Sequence, residues 1–84
     1  MPVRIVLADD HRMVREGLRD LLERRTDLQV VGEAADGETA ARLARELRPD
    51  IVILDVSMPR LNGIEATRRI VAECPTVKVL ALSM

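Results

Sequence analysis

The sequence predicts an α/β fold, a parallel sheet covered by helices on both faces. Three observations carry that prediction. Four short apolar runs, at 3–8, 28–32, 51–54 and 77–82, stop at acidic, hydroxyl or turn-forming residues, as buried parallel strands do. Stretches with apolar residues at helical spacing separate them. Strand and helix alternate without a linker, a low-complexity segment or a repeat of solenoid period. The order β-α-β-α-β-α-β, with right-handed crossovers, gives a parallel sheet with helices on either side.

The first strand, 3–8, ends at Asp9 and Asp10. Asp10 is read as the cap of a helix running to about Arg25, with Val14, Leu18, Leu21 and Leu22 on one stripe. Thr26 and Asp27 break it, and a weaker strand follows from Leu28 to Gly32. Asp36 caps a second helix, Gly37 to Arg48, with Ala40, Leu43, Ala44 and Leu47 facing inward. Pro49 ends it, because proline disfavours helix in the residue before it. The third strand, 51–54, stops at Asp55. A loop containing Met58-Pro59 and Asn62-Gly63 leads to a helix from Ile64 to Glu73, stopped by Cys74-Pro75. The fourth strand, 77–82, ends at Ser83. A doubly wound sheet rarely stops at a strand, so the chain reads as incomplete relative to the fold it encodes.

Length and composition narrow the class. The chain of 84 residues is read as one domain, 1–84, of modest stability. It has no Phe, Tyr or Trp, so Leu, Ile, Val, Ala and Met must build the core. A net charge of −1 offers no basic footprint for nucleic acid. The single cysteine, Cys74, has no internal disulfide partner, favours a reducing compartment, and is read as a small packed residue. No apolar run approaches the ~20 residues needed to span a membrane, and no signal peptide precedes the first strand. The cytoplasm is the default location.

The chemistry gathers at strand ends. In an open parallel sheet, ligands bind outside the carboxyl ends of the strands. Asp9, Asp10 and Asp55 would repel one another there unless a cation sat between them. Hard oxygen donors, with some positions left to water, suit Mg²⁺. Asp55 is the candidate nucleophile, because a carboxylate can take a phosphoryl group as an acyl phosphate. Ser83 could hydrogen-bond a phosphoryl oxygen. Taken singly, each residue has a plain alternative: Asp10 a helix cap, Asp55 a turn residue, Ser83 a solvated hydroxyl. Their shared sheet edge is what argues against three separate accidents. His11, at a helix start, is read as solvated surface rather than a ligand. Arg12, Arg15, Arg19, Arg42, Arg45 and Arg48 are read as solvated helix faces with acidic neighbours. No GxGxxG or P-loop pattern occurs.

These motifs together resemble the receiver domain of two-component response regulators. Asp9-Asp10 follows the first strand, Asp55-Val56-Ser57-Met58-Pro59-Arg60-Leu61-Asn62-Gly63 looks like the family's D-x-x-M-P-x-x-x-G, and Ser83 matches its Ser/Thr after the fourth strand. Leu7-Ala8-Asp9-Asp10-His11 and Val14-Arg15-Glu16-Gly17-Leu18 are similar to the NarL/FixJ-type branch, whose members usually carry a DNA-binding helix-turn-helix. The resemblance implies a flavodoxin-like (CheY-like) doubly wound parallel sheet, here incomplete, with strand order 2-1-3-4. It implies that Asp55 accepts a phosphoryl group from a phosphohistidine on a sensor histidine kinase. Asp10 and Asp55 would ligate Mg²⁺ directly with the Ser57 backbone carbonyl, and Asp9 would act through water. Ser83 would turn toward the phosphate and report it, while Met58, Pro59 and Gly63 shape the loop over the site.

The chain departs from the family in lacking the fifth strand and its lysine. Lys78 is no substitute, because five residues at ~3.3 Å each put it roughly 16 Å from the site. The last three elements of the family are absent, so Val14, Leu18 or Leu21 should be partly bare and the fourth strand an open edge. DNA would be reached only through a missing C-terminal domain. The expected activity is that of a phospho-acceptor, not an enzyme, with at most self-phosphorylation from a phosphodonor and self-dephosphorylation. The alternative is a signalling-incompetent fragment that forms a dimer or strand-exchanged oligomer through its exposed edge. A phosphatase of the haloacid-dehalogenase type is disfavoured, since its second Asp would stand where this chain has Ser57.

Overall fold

The computed structural model describes residues 1–56, Met58 and 63–82. Seven elements follow one another: β1 (Val3–Ala8), α1 (Arg12–Glu23), β2 (Leu28–Ala34), α2 (Gly37–Leu47), β3 (Ile51–Asp55), α3 (Gly63–Glu73) and β4 (Lys78–Leu82). All strand pairs are parallel, as the alternation of strands and helices predicts, and the sheet order is β2-β1-β3-β4, as the resemblance implies. The chain adds β2 on one side of β1 and then crosses back to lay β3 on the other. That reversal makes β1 and β3 the central strands.

Alternation along the strands sorts the side chains. Val6, Ala8, Val52 and Leu54 are fully or almost fully buried against Ala40, Ala41 and Ala44 of α2 and Ala66 and Ile70 of α3. Alanines on both helices let their backbones lie close to the sheet, so a core without aromatic rings still closes. On the other face Ile5 and Leu7 are buried, and α1 packs on β1 and β2. Helix α1 itself buries no residue completely, and Val14 and Leu21 are exposed. Leu80, on the edge strand β4, is exposed as well. The expectation of a partly bare α1 and an edge at β4 therefore holds.

Several boundaries differ from the sequence reading, for local reasons. Strand β2 runs past Gly32 to Ala34, because a register shift opposite Ile5/Val6 leaves Val31 unpaired and re-forms the ladder from Val6↔Gly32 to Ala8↔Ala34. Asp10 does not cap α1. The Asp9 side chain accepts the His11 backbone N–H at 2.7 Å, an Asx turn that delays the helix, and His11 becomes the N-cap with no side-chain cap bond. Helix α2 is capped as read: the Asp36 carboxylate accepts the Thr39 N–H at 2.8 Å. Arg48 ends that helix in the left-handed region at φ 45°. The Arg4 guanidinium donates to the carbonyls of Leu47 (2.8 Å) and Arg48 (3.1 Å), a cation on the negative end of the helix.

Helix α3 starts at Gly63, one residue earlier than read. A Cβ on Gly63 would lie 2.1 Å from Val56 Cα and 2.7 Å from the Asp55 carbonyl oxygen. The first residue of α3 lies so close to the end of β3 that only a residue without a side chain fits there. The Gly63 N–H donates to the Val56 carbonyl at 3.3 Å.

Candidate functional site

The site is built where the direction of strand addition reverses, between β1 and β3. An α/β sheet opens a crevice at such a point, at the carboxyl ends of the strands. Asp9 follows β1 directly, and its N–H prolongs the sheet by donating to the Ala34 carbonyl at 3.0 Å. Asp55 is the last residue of β3, paired with Leu82, and the Val56 N–H donates to the Leu82 carbonyl at 3.1 Å. Ladder bonds on both sides thus fix the two central strand ends that carry the acids.

The structure brings Asp9, Asp10 and Asp55 together and adds His11. One ligand atom from each of the four lies within 4.8 Å of all the others. Asp9 and Asp55 are 7% and 5% exposed, whereas Asp10 and His11 stand at the mouth. Two buried carboxylates beside a third make a site of negative potential, and the donors are hard oxygens. Mg²⁺ is held by one or two carboxylates and keeps several waters, which fits two buried acids with an open side toward solvent.

Two residues read as solvated surface have a part here. The His11 side chain is 66% exposed, yet its Nδ1 stands 3.2 Å from Asp9 Oδ1 and 3.1 Å from Asp10 Oδ1. The Arg15 side chain is 17% exposed. Its Nη1 donates to the Asp9 carbonyl at 2.6 Å and its Nε to Glu33 Oε1 at 2.9 Å. Glu33, near the end of β2, also accepts from Arg19 Nη1. Arg15 therefore ties the first turn of α1 to the ends of β1 and β2. The available signal was the helical spacing of His11 and Arg15, which puts Arg15 one turn beyond the loop of acids.

Met58 is buried in the core. Lys78 pairs with Ile51 at the far end of β4, four register steps from Asp55↔Leu82 and about 13 Å away along the strand. The candidates Ser57, Pro59 and Ser83 lie outside the described residues. Among the described residues no helix is long and apolar enough to cross a membrane.

A four-stranded 2-1-3-4 sheet with acids at the ends of β1 and β3 defines a receiver-like α/β protein. The profile of the response regulator receiver domain matches residues 5–84, and the chain belongs to that family. It is 46% identical over 81 residues to the transcriptional regulatory protein LiaR of Bacillus subtilis (strain 168), a match covering 96% of this chain and 38% of LiaR. A two-component response regulator of the LuxR family from Aurantimonas sp. SI85-9A1 superposes with a TM-score of 0.93 at 49% identity, over 100% of this chain and 60% of that one. RcsB from Salmonella enterica serovar Typhimurium, solved bound to promoter rprA with the phosphomimetic BeF3-, superposes with a TM-score of 0.90 at 30% identity. That match covers 100% of this chain and 43% of RcsB. The chain spans little more than a third of the length of the curated relatives it matches.

Proposed function

We propose that this receiver domain accepts a phosphoryl group on Asp55 from the phosphohistidine of a sensor kinase, with Mg²⁺ in the acidic site. The observation that carries the proposal is the convergence of Asp9, Asp10 and Asp55 at the switch point between β1 and β3. When bound, Mg²⁺ would neutralise charge on the phosphoryl oxygens and on the acids. Asp10, Asp55 and the Ser57 backbone carbonyl would hold it, with Asp9 acting through water.

The chemical step falls to Asp55. One of its carboxylate oxygens attacks phosphorus, the P–N bond to the donor imidazole breaks, and the imidazole keeps the electron pair and takes a proton. The product is an acyl phosphate. Such transfers depend on positioning and charge neutralisation more than on acid–base help. The buried position of Asp55 at a ladder-fixed strand end supports in-line positioning. Ser83 would hydrogen-bond the transferred group and report it.

The chain then acts as a phospho-acceptor rather than an enzyme turning over further substrates. A role in regulating transcription, in the cytoplasm and through DNA contacts made outside these residues, is part of the proposal; that LiaR is called a transcriptional regulatory protein and that RcsB is bound to promoter rprA support its regulatory part. A dimer or strand-exchanged oligomer through the β4 edge, where Leu80 is exposed, belongs instead to the alternative of a signalling-incompetent fragment. Sedimentation at rising concentration checks it, and a monomer throughout removes it.

The direct test is transfer of labelled phosphoryl from a phosphorylated histidine-kinase domain, with Asp55→Asn as the control. Label on the wild type and none on the variant is expected. Equal labelling of both would remove Asp55 from the reaction.

A further inference from the structure

Arginines gather along the seam between α2 and α3, on the sheet face opposite α1 and apart from the acidic site. A cleft of about 400 Å³ is lined by Arg42 and Arg45 of α2 and Arg69 of α3, with Glu38 and Thr39. A second cleft, of about 260 Å³, shares Arg45 and reaches Arg48. The arginines on the α1 side are closely matched: Arg12 to Glu16 at 3.0 Å, Arg15 to Glu33 at 2.9 Å and Arg25 to Asp27 at 3.0 Å. Those of the seam are not. Arg42 Nε stands 3.8 Å from Glu46, beyond hydrogen-bond reach, and Arg45 meets Glu73 only at 3.4 Å. The Arg48 and Arg69 side chains have no hydrogen bond or ion pair among the described residues. A cation at the end of a helix suits its dipole, which accounts for Arg45 and Arg48. Arg42 and Arg69 stand in mid-helix, where the dipole gives no reason for them. A guanidinium cannot shed its proton, so the repulsion in the cleft can be relieved only from outside, by an anion or by water.

We propose that the α2–α3 cleft binds an oligophosphate anion, held by the guanidinium groups of Arg42, Arg45 and Arg69. Each guanidinium is a planar fork of donors that matches the oxygens of a phosphate group. Forks from both helices in one cleft exceed what a single phosphate can use and suit a chain of about two or three. The volume of the cleft lies in the range of small-molecule sites. Thr39 adds a hydroxyl donor to the lining. The chain has no aromatic residue, so a base would find no ring to stack on, and the phosphates must carry the binding. A net charge of −1 disfavours a long nucleic-acid backbone as the occupant. The shared chemistry is a phosphate chain, free or carried by a nucleoside. Glu38 at the rim opposes the anion and holds its affinity down. Neither Asp55 nor a metal enters this inference.

The test is an NMR titration of the metal-free chain with inorganic tripolyphosphate, in ~0.1 M salt, where exposed charges more than about 10 Å apart are screened. Amide resonances of Thr39, Arg42 and Arg69 should shift and saturate, while those of His11 and Arg25 stay in place, a result that needs no variant. Arg45→Gln and Arg69→Gln should each weaken binding ~10-fold or more, as loss of a hydrogen bond to a charged group does. Arg12→Gln removes the same charge from α1 and should leave the affinity within about twofold. Glu38→Gln should tighten binding. ATP within about threefold of tripolyphosphate would support a nucleoside-borne chain, and markedly weaker ATP a free one. Shifts that do not saturate, inorganic phosphate bound as tightly as tripolyphosphate, or equal weakening by Arg12→Gln would each overturn the inference. So would ATP bound more than ~10-fold tighter, since the base and not the phosphates would then be recognised. Asp55→Asn should bind tripolyphosphate like the wild type, so failure here leaves the receiver reading in place.

Discussion

Gly63 and Gly17 give a paired prediction in which one substitution, glycine to alanine, should act with opposite signs. A Cβ at Gly63 would fall 2.1 Å from Val56 Cα and 2.7 Å from the Asp55 carbonyl, where ordinary contact begins at 3.4 Å. Both neighbours are backbone, so no side chain can swing aside, and the end of β3 or the start of α3 must move by about 1 Å. Overpacking of this kind costs about 1–3 kcal/mol, and the rigid neighbours put Gly63→Ala at the upper end. Against a stability of roughly 4–13 kcal/mol for a domain this long, that is a large fraction. A Cβ at Gly17 meets nothing within 4 Å, in the middle of the exposed helix α1. There alanine should stabilise by ~0.5–1 kcal/mol through helix propensity and lost unfolded-state freedom. The chain has no aromatic residue, so the assay is urea unfolding followed by far-ultraviolet circular dichroism. Displacing the Asp55 carbonyl also disturbs the acidic site, so metal affinity should fall in Gly63→Ala and not in Gly17→Ala. A Gly63→Ala protein within about 0.5 kcal/mol of wild type, a size usual for surface changes, would refute the reasoning. So would a Gly17→Ala protein destabilised as much as Gly63→Ala.

Other expectations follow from single contacts. Arg15→Gln removes two charge-assisted bonds, to Glu33 and to the Asp9 carbonyl, and should cost about 1.5–3 kcal/mol in urea unfolding while weakening metal binding. Asp36→Ala leaves the Thr39 N–H at the start of α2 without its cap and should cost ~0.5–2 kcal/mol, read the same way. The Asp27 carboxyl is held below its ordinary 3.8 by hydrogen bonds from the Arg25 guanidinium. A lowered folded value means stability that is present above the ordinary range and is lost as pH falls through the folded value. Arg25→Gln should raise the Asp27 titration midpoint toward 3.8 by NMR, and an unmoved midpoint would show the pair to be idle.

Much of the fold was legible because it rests on local signals. The four apolar runs stop where the strands stop or within two residues, and Asp36 caps α2 as its position before a helical stripe predicts. The site acids were legible for the same reason, since each closes a strand. The misreadings share a cause: each depended on which partner a polar group meets. Asp10 has the composition of a cap, but Asp9 takes the His11 N–H first and postpones the helix. Gly32 looks like a strand end, yet the irregularity at Val31 carries β2 two residues further. Arg15 has the same spacing as the truly exposed Arg12, and only the nearness of Glu33 and the Asp9 carbonyl, set by the β1–β2 pairing, separates them. His11 lay within the sequence motif itself, but its nearness to two carboxylates depends on the turn at Asp9.

The acids at the ends of β1 and β3 are proposed to make Asp55 a phospho-acceptor. Intact mass after incubation with a small-molecule phosphodonor and Mg²⁺ tests it most directly. One added phosphoryl group is expected on the wild type, none on Asp55→Asn, and none when the metal is removed by chelation. A folded wild-type protein that gains nothing, or an Asp55→Asn protein that gains the same mass, would contradict it.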